Sequence, residues 1–124
     1  MMKRSLILVL SLLMLVLCIP ALAESTDWNY DANYAILRGY DGAGGDVVVP
    51  AEIDGFTVDV IGINVFKGDT IMSLTLPETV LELRSGAVAS CERLASVTLP
   101  QSLVVINRMN FFSCKALTEV TIPA

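Results

Sequence analysis

The heptapeptide L-A-S-V-T-L-P at residues 94–100 has a close copy on either side of it in the chain. Residues 71–77 read I-M-S-L-T-L-P, and residues 117–123 read L-T-E-V-T-I-P. The prolines that end the three copies follow one another at intervals of 23 residues. Self-similarity at a fixed period of about 20 to 50 residues is typical of proteins built from stacked coils. The chain is therefore predicted to be a repeat solenoid.

Each copy predicts one short β-strand. The residues before the proline alternate apolar, polar and apolar, which places aliphatic side chains inward and threonines outward on a strand. Proline lacks an N–H to donate and so ends the pairing. Stacked coils would join these strands into a parallel sheet with a polar ladder on its open face. The candidate binding residues predicted on that face are Ser73, Thr75, Ser96, Thr98, Glu119 and Thr121.

Superposing the units on their prolines also predicts the core. Seven apolar positions of one unit match seven apolar positions of the next, and a single unit cannot bury such a set alone. The first unit spans 27 residues between Pro50 and Pro77, so it carries a net insertion of four. Asp54-Gly55 predicts a surface turn there. The matched positions are Val80, Leu83, Val88, Cys91, Leu94, Val97 and Leu99 with Leu103, Ile106, Phe111, Cys114, Leu117, Val120 and Ile122.

Residues 1–23 have the pattern of a secretory signal peptide. Lys3 and Arg4 precede an apolar run over residues 6–19, and Ala21 and Ala23 supply small residues two positions apart. The alternative is an uncleaved membrane anchor, although this run is short for a bilayer that needs about 20 residues. We expect a signal helix, cleavage after Ala23, and a secreted or cell-surface chain. The chain would contact a membrane only through the uncleaved signal segment.

The chain is acidic, with a net charge of −5. Removal of residues 1–23 takes away two cations and no acid, which lowers the charge by two, to −7. No basic patch is present that could neutralise phosphates, so a nucleic-acid partner is excluded. An acidic exported domain favours cations or basic partners.

The region before the repeats is predicted to close their first coil. Residues 24–35 form an N-terminal leader, in which Trp28, Tyr30 and Tyr34 alternate, together with Ile36, as one face of a strand. Residues 34–50 are predicted to be a hairpin-like cap that ends in a strand motif at 47–50, because a stack of repeats needs its apolar end covered. Residues 41–46 hold two aspartates among glycines, but the spacing fits no known calcium loop, so a plain turn is expected.

These residues resemble the BspA-like, or Treponema-type, leucine-rich repeat, whose unit reads approximately L-x-x-V-T-I-P-x-S-V-x-x-I-G-x-x-A-F-x-x-C-x-x-L. Residues 117–123 match its strand part, and residues 61–66, I-G-I-N-V-F, match its I-G-x-x-A-F part. The resemblance covers residues 36–124. It departs at residues 83–88, which lack the usual Gly and Phe, and at Asn110, where a small apolar residue is expected. We expect Asn110 to need a hydrogen-bond partner or a distorted coil.

The resemblance implies a leucine-rich-repeat solenoid, with short parallel β-strands stacked one per repeat of about 23 residues, mostly β and irregular coil. It also implies a secreted or surface-exposed protein of bacteria or certain protists, associated with adhesion and protein binding, with no catalytic residues.

The residue types argue against catalysis. The chain has no histidine, the commonest general base and metal ligand. No serine stands in a nucleophile-elbow pattern. We therefore expect no enzyme, no cofactor and no metal site.

Cys91 and Cys114 occupy the same position in adjacent units. Their predicted separation of about 5 Å would allow a disulfide. The alternative, a stacked pair of buried thiols that act as small apolar fillers, is favoured by the family resemblance.

Two functions remain open at this stage. The first is a binding module that meets an extracellular protein or glycan through its polar ladder. The second is a structural spacer, or a truncated piece of a larger surface protein, without a ligand of its own. The chain as given stops at Ala124, directly after the last repeat proline. We expect an uncapped C-terminal coil that could self-associate.

Overall fold

The computed structural model describes residues 25–123, which form a β-solenoid of about four turns. The predicted solenoid is confirmed. A 3₁₀ turn at Ser25–Asp27 precedes the strands β1 (Trp28–Asp31), β2 (Ile36–Tyr40), β3 (Gly45–Val48), β4 (Glu52–Ile53), β5 (Phe56–Thr57), β6 (Val60–Ile61), β7 (Ile71–Thr75), β8 (Glu82–Leu83), β9 (Ser96–Thr98), β10 (Val105–Ile106) and β11 (Glu119–Thr121).

Most strands belong to two sheets. Sheet 1 has the order β11-β9-β7-β3 and is parallel throughout. Sheet 2 has the order β1-β2-β6-β8-β10 and is parallel except for β1, which pairs antiparallel with β2. From β6 onward, successive strands alternate between sheet 2 and sheet 1. The repeated motif supplies β7, β9 and β11, as its alternation predicts.

The core lies between the sheets and is well closed in the second repeat unit. Each of the seven core residues predicted for that unit is at most 2% exposed. The matching residues of the third unit are less covered: Ile106, Val120 and Ile122 are exposed, and the other four are only partly buried against the core. The inner face of the last described coil is therefore open.

The N-terminal region differs from its prediction. Trp28 and Tyr30 lie in β1, but Tyr34 lies in the turn before β2 and is 69% exposed. The predicted single strand is wrong because Asp31 accepts hydrogen bonds from the N–H groups of Asn33 and Tyr34, a local bond pattern that turns the chain. Part of the predicted leader is thus a strand of sheet 2.

The hairpin-like cap predicted over residues 34–50 is also wrong in its position. The hairpin is β1–β2, while β3 belongs to the other sheet. The aromatic side chains of the β1–β2 hairpin make it part of the core. Trp28 packs 4.7 Å from Tyr40 and 6.3 Å from Phe66, measured between ring centroids. Long-range aromatic packing, which the repeat pattern does not report, decides this pairing.

The insertion in the first unit is the small hairpin β4–β5, with the predicted turn at Asp54-Gly55. Both turn residues have positive φ, 51° and 84°, as a type I′ turn requires. Phe56 stacks on Tyr30 with centroids 5.7 Å apart, and the Tyr30 hydroxyl donates to the Thr57 carbonyl. The insertion is therefore packed against β1 rather than free at the surface.

The predicted signal helix and its cleavage site at Ala23 lie outside the described residues. In residues 25–123, no helix is of a length and hydrophobicity that would let it cross a membrane.

Candidate functional site

The open face of sheet 1 carries two rows of side chains set by the strand register. One row joins residues 46, 73, 96 and 119 across the four strands, and the other joins residues 48, 75, 98 and 121. Of the residues between these rows, Val47, Leu74 and Val97 are buried, whereas Val120 on the last strand is exposed. Neighbours along each row are about 4.8 Å apart, the spacing of paired strands. The face is a flat ladder of polar groups over an aliphatic core.

All six predicted binding residues lie on this face. Glu119 and Thr121 are exposed, and the other four are half-buried. Ser73 donates to the Asp46 carboxylate at 2.7 Å, and Thr121 donates to Glu119 at 3.3 Å. These bonds occupy the hydroxyls at the two ends of the ladder.

The centre of the ladder is different. Within residues 25–123, the side-chain hydroxyls of Thr75, Ser96 and Thr98 make no hydrogen bond, while the Thr75 and Thr98 carbonyls accept from the backbone of neighbouring coils. A hydroxyl can donate one hydrogen bond and accept two. Three adjacent hydroxyls are thus available to a ligand.

Sequence reasoning missed two members of the face, Asp46 and Val48. Asp46 extends the serine row, and Val48, 60% exposed, extends the threonine row. The signal was present, because superposing Pro50 on Pro77 pairs Asp46 with Ser73 and Val48 with Thr75. The prediction began the strand motif at residue 47 and so left Asp46 out.

All the charge on the ladder is negative. Asp46 and Glu119 lie at its opposite edges, three strand spacings or about 14 Å apart, and none of its other members is charged. Two carboxylates on an otherwise neutral hydroxyl face attract cationic groups. The face therefore suits a partner that brings hydrogen-bond donors or positive charge.

The described residues hold no group of three or more Cys, Asp or Glu that could bind a metal ion. Cys91 and Cys114 are free thiols in the core between the sheets, not on the ladder. Burial, with a smaller contribution from the neighbouring Cys114, raises the pKa of the Cys91 thiol to about 12. A thiol that keeps its proton so strongly is a poor nucleophile.

Comparison with known proteins identifies the family of the repeats. The sequence model of the "BspA type Leucine rich repeat region (6 copies)" matches residues 52–124, more than half of the chain. The chain belongs to the BspA-type leucine-rich repeat family. The predicted family is thereby confirmed, and a solenoid of this family is typically a non-enzymatic binding scaffold.

Among solved structures, this BspA-type chain is similar to the leucine-rich repeat protein of T. pallidum, with a TM-score of 0.72 and 27% sequence identity. The match covers 83% of this chain and 50% of that one, so the chain spans about half the length of the relative. No curated protein matches it.

Proposed function

We propose that this chain is a binding module that works outside the cell and recognises a protein with the open face of sheet 1. The observation that carries the proposal is the group of unpaired hydroxyls on Thr75, Ser96 and Thr98, framed by the carboxylates of Asp46 and Glu119. Two further facts support it. BspA-type repeats are commonly found in surface or secreted proteins, and the family supports a protein-binding repeat module.

The ladder would bind through several weak contacts rather than one strong one. Each hydrogen bond to a partner contributes about 0.5–1.5 kcal/mol net, and the carboxylates add attraction that salt screens. Their charge favours a partner with exposed Lys or Arg. Surface adhesion would follow if several such modules bind at once, because linked weak sites gain avidity.

The test measures binding of the purified chain to immobilised extracellular matrix proteins and to neutral and acidic glycans by biolayer interferometry. Thr98→Arg fills the centre of the ladder with a bulky cation and is expected to abolish binding. The matched control is Gln101→Arg, at an exposed position beyond the strand end. Circular dichroism of both variants checks the fold.

Loss of binding only in Thr98→Arg supports the proposal. Unchanged affinity in a folded Thr98→Arg variant contradicts it and moves the site to another face. Binding to a glycan and to none of the proteins would replace the protein partner by a glycan at the same ladder.

A structural role is the second candidate, favoured by the open inner face of the last described coil. Val120 is 45% exposed and Ile122 is 65% exposed, and among the described residues no strand pairs with the outer edge of β10 or β11. Such an edge can pair with another chain, so the coil would self-associate and the chain would act as a spacer in an assembly. Light scattering tests this, since a strictly monomeric species at high concentration contradicts it.

A further inference from the structure

Sheet 2 carries a cleft of its own, away from the ladder of sheet 1. Its volume is about 230 Å³, and its lining is Ile36, Arg38, Gly62, Ile63 and Arg84. The cleft combines two cations with an aliphatic wall in a chain whose net charge is negative. Neither the repeat pattern nor the ladder explains this combination.

The strand register places the two arginines in one row. Leu37 pairs with Ile61, and Ile61 pairs with Leu83, so the residues that follow them, at positions 38, 62 and 84, lie side by side. The arginine Cα atoms are two strand spacings apart, about 9.6 Å. The residue between them is Gly62, which has no side chain to stand between the two arginines.

Glycine is required at that position. A Cβ atom on Gly62 would lie 2.7 Å from the Leu37 carbonyl oxygen and 2.9 Å from the Ile36 Cγ2 atom. Such distances are too short for real Cβ contacts, so the close approach of β2 to β6 excludes a side chain. The same constraint that packs the hairpin onto the first coil therefore keeps the cleft open.

Each guanidinium has a carboxylate on its Nε side, close by for Arg38 and more distant for Arg84. Arg38 places its Nε 2.8 Å from the Asp31 carboxylate, and Arg84 places its Nε 3.8 Å from the Glu82 carboxylate. Among the described residues, the terminal nitrogens of both arginines make no hydrogen bond, and the Arg38 guanidinium also lies over the Tyr34 ring, with its Cζ 5.3 Å from the ring centroid. The side chains are 51% and 43% exposed, respectively. The two terminal nitrogens of each guanidinium can thus reach a carboxylate, which an Arg binds through two parallel hydrogen bonds.

We propose that this cleft binds a ligand with two carboxylates, one on each arginine: a small dicarboxylate or a pair of acidic side chains on a peptide. Asp31 lies on β1, beyond β2, and holds Arg38 away from Arg84, so the two guanidiniums suit two separate anions better than one. The methylenes between the carboxylates lie over Gly62 and against Ile63, whose side chain is 62% exposed. The site is independent of the protein-binding ladder proposed above.

The test is a nuclear magnetic resonance titration of the ¹⁵N-labelled chain. The probes are succinate, a capped Asp-Glu dipeptide, and the monocarboxylate butyrate as the matched control. We expect saturable shifts of the Gly62 and Ile63 amides with the diacids up to about 50 mM, and at least a tenfold weaker response to butyrate. The tighter of the two diacid probes identifies the source of the carboxylates.

Variants distinguish binding in the cleft from a nonspecific effect of positive charge. Arg84→Gln is expected to weaken diacid binding at least tenfold, and Arg84→Lys, which keeps the charge but not the fork, to weaken it less. Arg93→Gln removes an exposed arginine outside the cleft and is expected to bind as the unaltered chain does. The dispersion of the amide spectrum reports folding of each variant.

Three results would overturn the proposal. These are the absence of saturable shifts at Gly62 and Ile63, equal affinity for butyrate and the diacids, and equal weakening by Arg84→Gln and Arg93→Gln in folded proteins. None of these outcomes depends on the partner of sheet 1, so this proposal can fail while the ladder proposal stands.

Discussion

Cys91 shows how stacking changes the chemistry of a single residue. Its side chain has no exposed surface, and Cys114 of the next coil lies beside it. Its Sγ is 3.4 Å from the Phe66 carbonyl oxygen, to which the thiol can donate. Because burial disfavours the thiolate, the pKa of Cys91 rises to about 12 from 9.0. The pair stands in the structure as two free thiols, the alternative that the family resemblance favours.

The first prediction concerns thiol reactivity. Iodoacetamide at pH 8 is expected to label the partly exposed Cys114 and to leave Cys91 unlabelled until urea unfolds the chain, since only the thiolate reacts. Peptide mapping by mass spectrometry assigns the label. Equal labelling of both in the folded chain contradicts the prediction, and a Cys91–Cys114 peptide pair two mass units lighter would show a disulfide instead.

The same shift has a consequence for stability. The folded chain binds the Cys91 proton more tightly than the unfolded chain, so this contribution to the free energy of unfolding is complete below the unfolded pKa. It is lost as pH rises through the window from about 9 to about 12. Urea unfolding of a Cys91→Ala variant should show a weaker decline over that window.

At the scale of the element, each coil turns by the same means. A left-handed residue stands three residues after the end of β6, β8 and β10, and a second one comes four residues later. Glycine takes two of these six positions, and other residues accept the strained conformation at the rest. These residues are Asn64, Gly86 and Met109 in the first set and Gly68, Ser90 and Ser113 in the second.

Asn110 ties the last of these turns to the coil before it. Its Nδ2 donates to the carbonyls of Arg84 and Asn107, at 3.0 and 2.8 Å, and its Oδ1 accepts from the Val88 N–H at 3.1 Å. The expectation that a polar residue here needs a partner is confirmed. The bonds replace the apolar contact that other repeats make at this position.

The second prediction follows from these bonds. Asn110→Ala leaves the Val88 N–H and two carbonyls without this partner, and is expected to lower the free energy of unfolding by about 1–3 kcal/mol. Urea denaturation measures it. The matched control, Asn33→Ala in the exposed turn before β2, should stay within about 0.5 kcal/mol. Equal effects of the two changes would show that the bridge contributes nothing.

At the scale of the whole molecule, burial falls from the second repeat unit to the third. Leu94 has no exposed surface, whereas its counterpart Leu117 is only partly buried. Both belong to the same repeat position and the same local sequence pattern. Their difference in burial comes only from having one neighbouring coil or two among the described residues.

The third prediction compares these two leucines. Leu94→Ala is expected to cost about 2–5 kcal/mol of stability, because it leaves a cavity in a closed core. Leu117→Ala should cost about 1 kcal/mol in dilute solution, since water already reaches that site. Denaturation at increasing protein concentration distinguishes the structural alternative: if the open coil self-associates, the cost of Leu117→Ala rises with concentration. Equal costs in dilute solution would contradict the open coil.

What the sequence by itself determined is everything that repeats. The period of 23, the prolines and the alternation around Thr98 predict the strands, their parallel register, the core of the second unit and six of the eight positions of the ladder. These predictions hold because neighbouring coils are near-copies, so one local pattern repeated in register decides both the fold and the face it presents.

Only the tertiary structure decided what occurs once. It set the β1–β2 hairpin and the turn that exposes Tyr34. It also brought Arg38 and Arg84 to the two sides of Gly62. These contacts join residues far apart in the chain that obey no common period. Their geometry depends on how aromatic packing and close backbone approach place the hairpin on the first coil.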